Sequence, residues 1–219
     1  MKDVIIVSGG NIQRDFALDF LQKNKKENVC LIAADKGVEF FIKTDWVPDV
    51  AVGDFDSLSA AGEKYLDSLK ETEIVRLKPE KDDSDTQSAV NFAIDRGAKN
   101  ITIFGATGNR IDHLLANFGL LVLGRERDAD ITLIDQWNYM KLVESGTVLQ
   151  KKEQFGKYVS FFSLEGDMPG LTLVGFKYPL DHYHLRVSDS GLTVSNEIEA
   201  EEAVVSFDGK YLLMLMTRD

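Results

Sequence analysis

The sequence predicts an α/β protein: a mainly parallel sheet flanked by helices over residues 1–136, followed by an all-β sandwich over residues 137–219. Three observations carry that prediction. Before Trp137, short β-branched runs alternate with longer amphipathic stretches, the order that builds a parallel sheet with helices on its faces. Two of those runs, Val4-Ile5-Ile6-Val7 and Ile101-Thr102-Ile103-Phe104, are apolar throughout and lead into glycine, as central strands buried on both faces do. After Trp137 the long stretches stop. Short β-type runs then follow one another between turn signals such as Glu165-Gly166-Asp167, Pro169-Gly170, Ser190-Gly191 and Asp208-Gly209-Lys210, the spacing of a sandwich or barrel.

Taken in order, the first part reads as segments 4–7, 12–23, 29–33, 38–42, 50–52, 59–69, 74–77, 85–95, 101–104, 110–123 and 131–134. In sheets of this kind, ligands gather at the carboxyl ends of the strands. The second part reads as strands at 139–143, 147–150, 158–163, 171–176, 185–187, 192–195, 203–207 and 211–216. No low-complexity linker and no internal repeat interrupts either part.

A length of 219 residues fits one large domain or two small ones, and 44% hydrophobic residues supply sizeable cores without outside help. The net charge of -11 argues against a nucleic-acid partner, which would need stripes of Lys and Arg, and is compatible with a small cationic substrate. Cys30 is the only cysteine and lies in an apolar run, so no disulfide or cysteine-based zinc site can form within the chain, and the thiol reads as buried and inert. The first residues are broken too soon by Gly9-Gly10 for a secretory core, and no run reaches membrane-spanning length. A cytoplasmic protein without a membrane partner is expected.

The densest chemical signal is Gly53-Asp54-Phe55-Asp56-Ser57 at the end of a predicted strand. Were the segment extended, Asp54 and Asp56 would face one side and offer paired carboxylates to a hard cation such as magnesium. The same residues also suit a turn that caps the helix from Ser59, and the tripeptide alone does not separate the two readings. A second acidic cluster, Asp82-Asp83-Ser84-Asp85, precedes the amphipathic stretch 85–95 and by itself reads as a helix N-terminus. Two acidic strand ends in one α/β domain can converge on one metal, so the pair weighs more than either member.

A third element, Gly105-Ala106-Thr107-Gly108-Asn109-Arg110-Ile111-Asp112-His113, joins a strand to a helix through a glycine-containing loop. Such a junction offers backbone N–H groups to an anion, and Arg110 can add a bidentate phosphate contact, although Arg110 and Asp112 also fit a plain surface pair. The loop matches neither the common phosphate loop nor the dinucleotide fingerprint. His113, His182 and His184 lack partners at metal-site spacing and read as satisfied or surface residues. No nucleophile elbow is present, which argues against covalent catalysis.

Taken together, Ala34-Asp35-Lys36-Gly37, Pro48-Asp49, Gly53-Asp54-Phe55-Asp56-Ser57, Asp82 with Asp85, and the 105–113 loop with Asn117 resemble, in order and spacing, the motif series of thiamine pyrophosphokinases. Gly175-Phe176-Lys177-Tyr178-Pro179-Leu180 and Ser195-Asn196-Glu197 are similar to segments of that family's β domain, so the resemblance covers nearly the whole chain. It implies an N-terminal domain that carries ATP and magnesium, a C-terminal sandwich, and a homodimer that holds thiamine between subunits. The pyrophosphoryl group of ATP would pass to the hydroxyl of thiamine, giving thiamine diphosphate and AMP. By position, the resemblance makes Asp54, Asp56 and Asp85 the magnesium ligands and sets Arg110 and Asp112 beside the phosphates. It assigns Asp35, Asp82, Gly105, Thr107, Gly108, His113 and Asn117 to the nucleotide, and Tyr178, Ser195 and Asn196 to thiamine.

Two rival readings exist. A metal-dependent nucleotide-sugar transferase also uses an Asp-x-Asp pair, but this leaves the Arg110–Asp112 loop and the β domain unexplained. A non-catalytic sensor of thiamine or nucleotide has no need to assemble all three acids.

Overall fold

The structure is a computed structural model that describes residues 2–26, 28–78, 80, 82–189 and 191–219. It separates into two compact units, Met1–Gln136 and Trp137–Asp219.

The first unit has six strands among the described residues: β1 (Asp3–Val7), β2 (Val29–Ala34), β3 (Val50–Gly53), β4 (Glu73–Arg76), β5 (Asn100–Phe104) and β6 (Asp130–Ile134). They are parallel, in the order β4-β3-β2-β1-β5-β6. The apolar runs explain the centre of the sheet, since Ile6, Ile32 and Ile103 are wholly enclosed. Val7 pairs with Ala33 on one side and Phe104 on the other, so β1 and β5 end level and β2 runs one residue further. The chain leaves β1 for β2 on one side and later returns to β5 on the other, which opens a crevice at their carboxyl ends.

Four helices of the first unit follow from local signals: α1 (Arg14–Asn24), α2 (Ala60–Ser68), α3 (Asp85–Asp95) and α4 (Ile111–Glu126). Ser59 caps α2 by accepting from the Gly62 N–H, and Ser84 caps α3 by accepting from the Gln87 N–H. Segment 38–42 falls on a short 3-10 helix, Asp35–Phe41, and its C-cap Ile42; the helix buries Val38, Phe40 and Phe41.

The second unit contains β7 (Asn138–Val143), β8 (Thr147–Gln150), β9 (Tyr158–Phe162), β10 (Met168–Val174), β11 (Leu180–Leu185), β12 (Glu202–Ser206) and β13 (Leu212–Thr217). Antiparallel β7-β13-β9 faces the four-stranded sheet β11-β10-β12-β8 across one apolar core, in which Phe161, Leu171, Val205 and Leu212 are fully enclosed. Phe161 and Phe176 meet edge to face at 5.7 Å within it.

Two expected strands are displaced. The one expected at 185–187 lies at Leu180–Leu185, where exposed Asp181, His182, Tyr183 and His184 mask the strand in the sequence. The one expected at 192–195 is a succession of turns and bends, closed by the Leu192 N–H donating to the Asp189 carbonyl and ending on a left-handed Ser195 (φ 56°).

Candidate active site

The crevice at the strand ends is a cavity of about 500 Å³. Three chain segments line it: Ser8-Gly9-Gly10-Asn11 after β1, Ala34-Asp35-Lys36 at the end of β2, and Gly105, Ala106 and Gly108 to Arg110 after β5. Ser57 in the loop after β3, Ser84, Asp85 and Thr86 at the start of α3, and His113 and Asn117 on α4 complete the lining. Glycine is required where the loops touch. Gly105 has φ +72°, and a Cβ placed on Gly10 would collide with the Gly105 carbonyl. The loops are pinned by Gly10 N–H donating to the Gly105 carbonyl at 3.1 Å and by Ser8 and Thr86 hydroxyls 2.6 Å apart. Asn117 Nδ2 donates to the Ala106 carbonyl at 2.8 Å, holding the β5 loop on α4.

At one end of this cavity, carboxylate oxygens of Asp35, Asp54 and Asp85 lie within 4.8 Å of one another. Each comes from a different element, at the end of β2, the end of β3 and the start of α3. Asp35 has a left-handed backbone (φ 45°), and a Cβ on Gly53 would lie 2.9 Å from its Cα, so only glycine lets β3 end this close to it. Ser57 Oγ donates to Asp35 Oδ2 at 2.5 Å, whereas Asp35 Oδ1 is buried without a hydrogen-bond partner. Such an oxygen, beside two other carboxylates, suits a hard divalent cation of the magnesium type.

The segment that follows Asp54 is not extended. Phe55 is left-handed (φ 64°), its ring buried with the Arg76 guanidinium 5.4 Å from its centroid. The turn therefore sends Asp54 to Asp35 and Asp85, and leaves Asp56 beside the group rather than within it. The nearby negative charge of Asp54, with smaller contributions from desolvation and Asp35, raises the Asp56 pKa above the ordinary carboxylate value.

Arg110 lines the cavity and caps α4 with an extended backbone. Its guanidinium donates twice to Asp112, at 3.1 Å from Nε and 2.5 Å from Nη2. That pairing, reinforced by the His113 N–H, lowers the Asp112 carboxyl to about 2. Thr107 points elsewhere, donating to Asp135 Oδ2 at 2.5 Å, and neither it nor exposed Asp82 lines the cavity. Cys30 is half-buried rather than buried as expected, and the desolvation it does feel pushes its thiol up to about 11, which fits its reading as inert.

In the second unit, Asn196 is almost wholly buried, and its side chain accepts from the Tyr178 and Glu197 N–H groups while donating to the Tyr178 carbonyl. It fixes the backbone of Tyr178, whose side chain is 57% exposed. Lys177 Nζ lies 5.6 Å from the Tyr178 ring centroid and is held by Glu197 at 2.8 Å. The Ser195 N–H is taken by Ser160 Oγ at 3.0 Å.

Residues 21–133 match the family model described as thiamin pyrophosphokinase, catalytic domain, and residues 146–212 match thiamin pyrophosphokinase, vitamin B1 binding domain. The chain belongs to the thiamine pyrophosphokinase family. A relative named thiamine pyrophosphokinase from Bacillus subtilis (strain 168) is 33% identical over 221 residues, covering 100% of both chains. The crystal structure of thiamine pyrophosphokinase from Bacillus subtilis is 31% identical, with a TM-score of 0.86 and 100% of both chains covered. That of the thiamin pyrophosphokinase from Geobacillus thermodenitrificans is 30% identical, with a TM-score of 0.84 over 99% of this chain and 97% of the other.

Within this thiamine pyrophosphokinase frame, the catalytic-domain match spans Asp35, Asp54, Asp56, Asp85, Arg110 and Asp112, and the second match spans Tyr178, Ser195 and Asn196. The nucleotide-sugar transferase and the sensor are not favoured by either match. Ser8, Gly9, Gly10 and Asn11 belong to the site although no motif in the sequence marks them, and Ser84 and Thr86 join it from the start of α3. The local signal for the first four is the glycine pair one residue after the first apolar run.

Proposed function

We propose that this thiamine pyrophosphokinase transfers the pyrophosphoryl group of ATP to the hydroxyl of thiamine, producing thiamine diphosphate and AMP. The observation that carries the reading is the convergence of Asp35, Asp54 and Asp85 at one end of a glycine-lined cavity about 500 Å³ in volume. Asp35, Asp54 and Asp85 would hold magnesium, with Asp56 next to them. When bound, that ion supplies charge neutralisation on the phosphates.

The chain's own residues supply the rest. Gly9, Gly10, Gly105 and Gly108 line the cavity, where exposed backbone suits a nucleotide's phosphates, and the missing Cβ atoms of Gly10 and Gly105 let the loops after β1 and β5 touch. Arg110 binds phosphate oxygens through its planar fork, and Asp112 holds that fork in orientation. His113 and Asn117 border the nucleotide. Tyr178 offers an exposed aromatic face suited to a flat cationic ring, in a position set by Asn196. Ser195 belongs to the same thiamine-binding surface. Holding the hydroxyl in line with the phosphorus it attacks removes much of the entropic barrier. A bond then forms between the thiamine oxygen and the β-phosphorus as the bond from that phosphorus to the oxygen bridging it to the α-phosphorus breaks; the hydroxyl proton passes to solvent, and AMP departs with the bridging oxygen.

We further propose a homodimer in which each thiamine site draws on both subunits, and a cytoplasmic setting where magnesium and ATP are abundant. Among the described residues no helix is long and apolar enough to cross a membrane. The test is to incubate the protein with magnesium, ATP and thiamine and separate the products. Thiamine diphosphate with AMP is expected; thiamine monophosphate with ADP would contradict the reading.

A further inference from the structure

The titratable residues that line the cavity are Asp35, Lys36, Asp85, Arg110 and His113. A nucleotide polyphosphate brings several negative charges to a place that already holds carboxylates, so the cations at hand matter. The guanidinium of Arg110 is engaged by Asp112 through two hydrogen bonds. Lys36 differs: among the described residues no carboxylate forms an ion pair with its ammonium. Glu39, three residues on, spends a carboxylate oxygen on the Ser59 N–H at 2.6 Å.

The root of Lys36 is braced. It is the second residue of the 3-10 helix Asp35–Phe41, and its neighbour Gly37 is packed so tightly on the Val7 carbonyl that a Cβ there would collide. A Cβ on Gly9 would lie 2.9 Å from Lys36 Cβ, so the loop after β1 supports its stem. A fixed backbone with an exposed ammonium beside Asp35 is a built cationic position at the acidic end of the cavity.

We propose that Lys36 is a phosphate-binding residue that contacts the pyrophosphoryl portion of the nucleotide. The inference rests on the magnesium-nucleotide reading of the same site. Position in the chain selects the pyrophosphoryl portion: Lys36 directly follows Asp35, and a cation held by the carboxylate group recruits the polyphosphate rather than the base. The lysine then complements Arg110 as a point charge that needs no particular orientation of the phosphate.

Calorimetric titration of the full-length protein with ATP, inorganic pyrophosphate and AMP, each with magnesium, tests this in the native chain and in Lys36→Met, Lys36→Gln and Lys36→Arg. The Met and Gln variants should lose about tenfold in affinity for ATP and pyrophosphate, the order expected for one charge-assisted contact, with AMP binding little changed. Lys36→Arg should recover most of the loss, and urea unfolding of all variants should match the native chain because the side chain is exposed. Native-like binding of ATP and pyrophosphate by the Met variant would overturn the proposal, as would an equal loss for AMP. A native chain that binds neither ATP nor pyrophosphate would overturn the site reading itself, and this inference with it.

Discussion

Ser57 Oγ donates a 2.5 Å hydrogen bond to Asp35 Oδ2, tying the loop after β3 to the end of β2. Asp35 Oδ1 stays buried without a hydrogen-bond partner, and a carboxylate oxygen of Asp35 lies within 4.8 Å of oxygens of Asp54 and Asp85. Asp35→Ala, Asp54→Ala and Asp85→Ala should therefore each lower turnover by about a hundredfold or more, since each removes part of the charge stabilisation of the transferring group. Their melting temperatures should hold or rise, because clustered like charges are being relieved. Ser57→Ala should keep most of the turnover but raise the magnesium concentration needed for half-maximal rate. Native-like turnover in all three aspartate variants would remove the metal assignment.

Gly53 and Gly119 should respond to alanine in opposite ways. A Cβ on Gly53 would press 2.9 Å from Asp35 Cα, whereas one on Gly119 in α4 meets nothing within 4 Å. Gly53→Ala should cost about 1–3 kcal/mol by overpacking and lower activity through Asp35. Gly119→Ala should add about 0.5–1 kcal/mol through helix propensity. Urea unfolding measures both.

The Arg110–Asp112 pair makes a pH prediction. Its carboxyl is held at about 2, below the ordinary 3.8, chiefly by the Arg110 hydrogen bonds. A lowered acid pKa means the pairing is complete above the ordinary value and is lost as pH falls through about 2. Both side chains are largely exposed, so the effect on global stability is small. Carbon-13 NMR titration of the Asp112 carboxyl should find this low value, and Arg110→Met should return it to about 4. Arg110→Lys should lose turnover while retaining ATP, because it keeps charge without the fork.

Subunit exchange tests the shared site. A chain with Asp54→Ala and a chain with Tyr178→Ala should each be nearly inactive, and mixing them should restore one intact site per heterodimer. No recovery after verified exchange, or an active monomer in sedimentation, would rule out sharing.

Legibility in the sequence followed how local the signal was. The bounds of α3 could be read because Ser84 is a side-chain cap followed at once by apolar periodicity. The strands of the parallel sheet were visible as apolar runs, while β11 was hidden by its exposed Asp181, His182, Tyr183 and His184. Asp54 and Asp85 stood out as acids at element ends. Asp35 also follows an apolar run, but its place among the carboxylates depends on β2 lying beside β3 and on the absent Cβ of Gly53. The turn at Phe55 depends on its ring being buried under Arg76, a contact 21 residues away in sequence. The first relation leaves no short-range trace; the local sequence suited a turn at Phe55 as well as an extended pair, and only the distant contact separates the two.

The most direct measurement follows isotope from ATP labelled at the β-phosphorus, with thiamine and magnesium, to its products. The label should appear in thiamine diphosphate with one AMP formed per turnover. Label retained in ADP, with only the γ-phosphorus reaching thiamine, would contradict pyrophosphoryl transfer at this site.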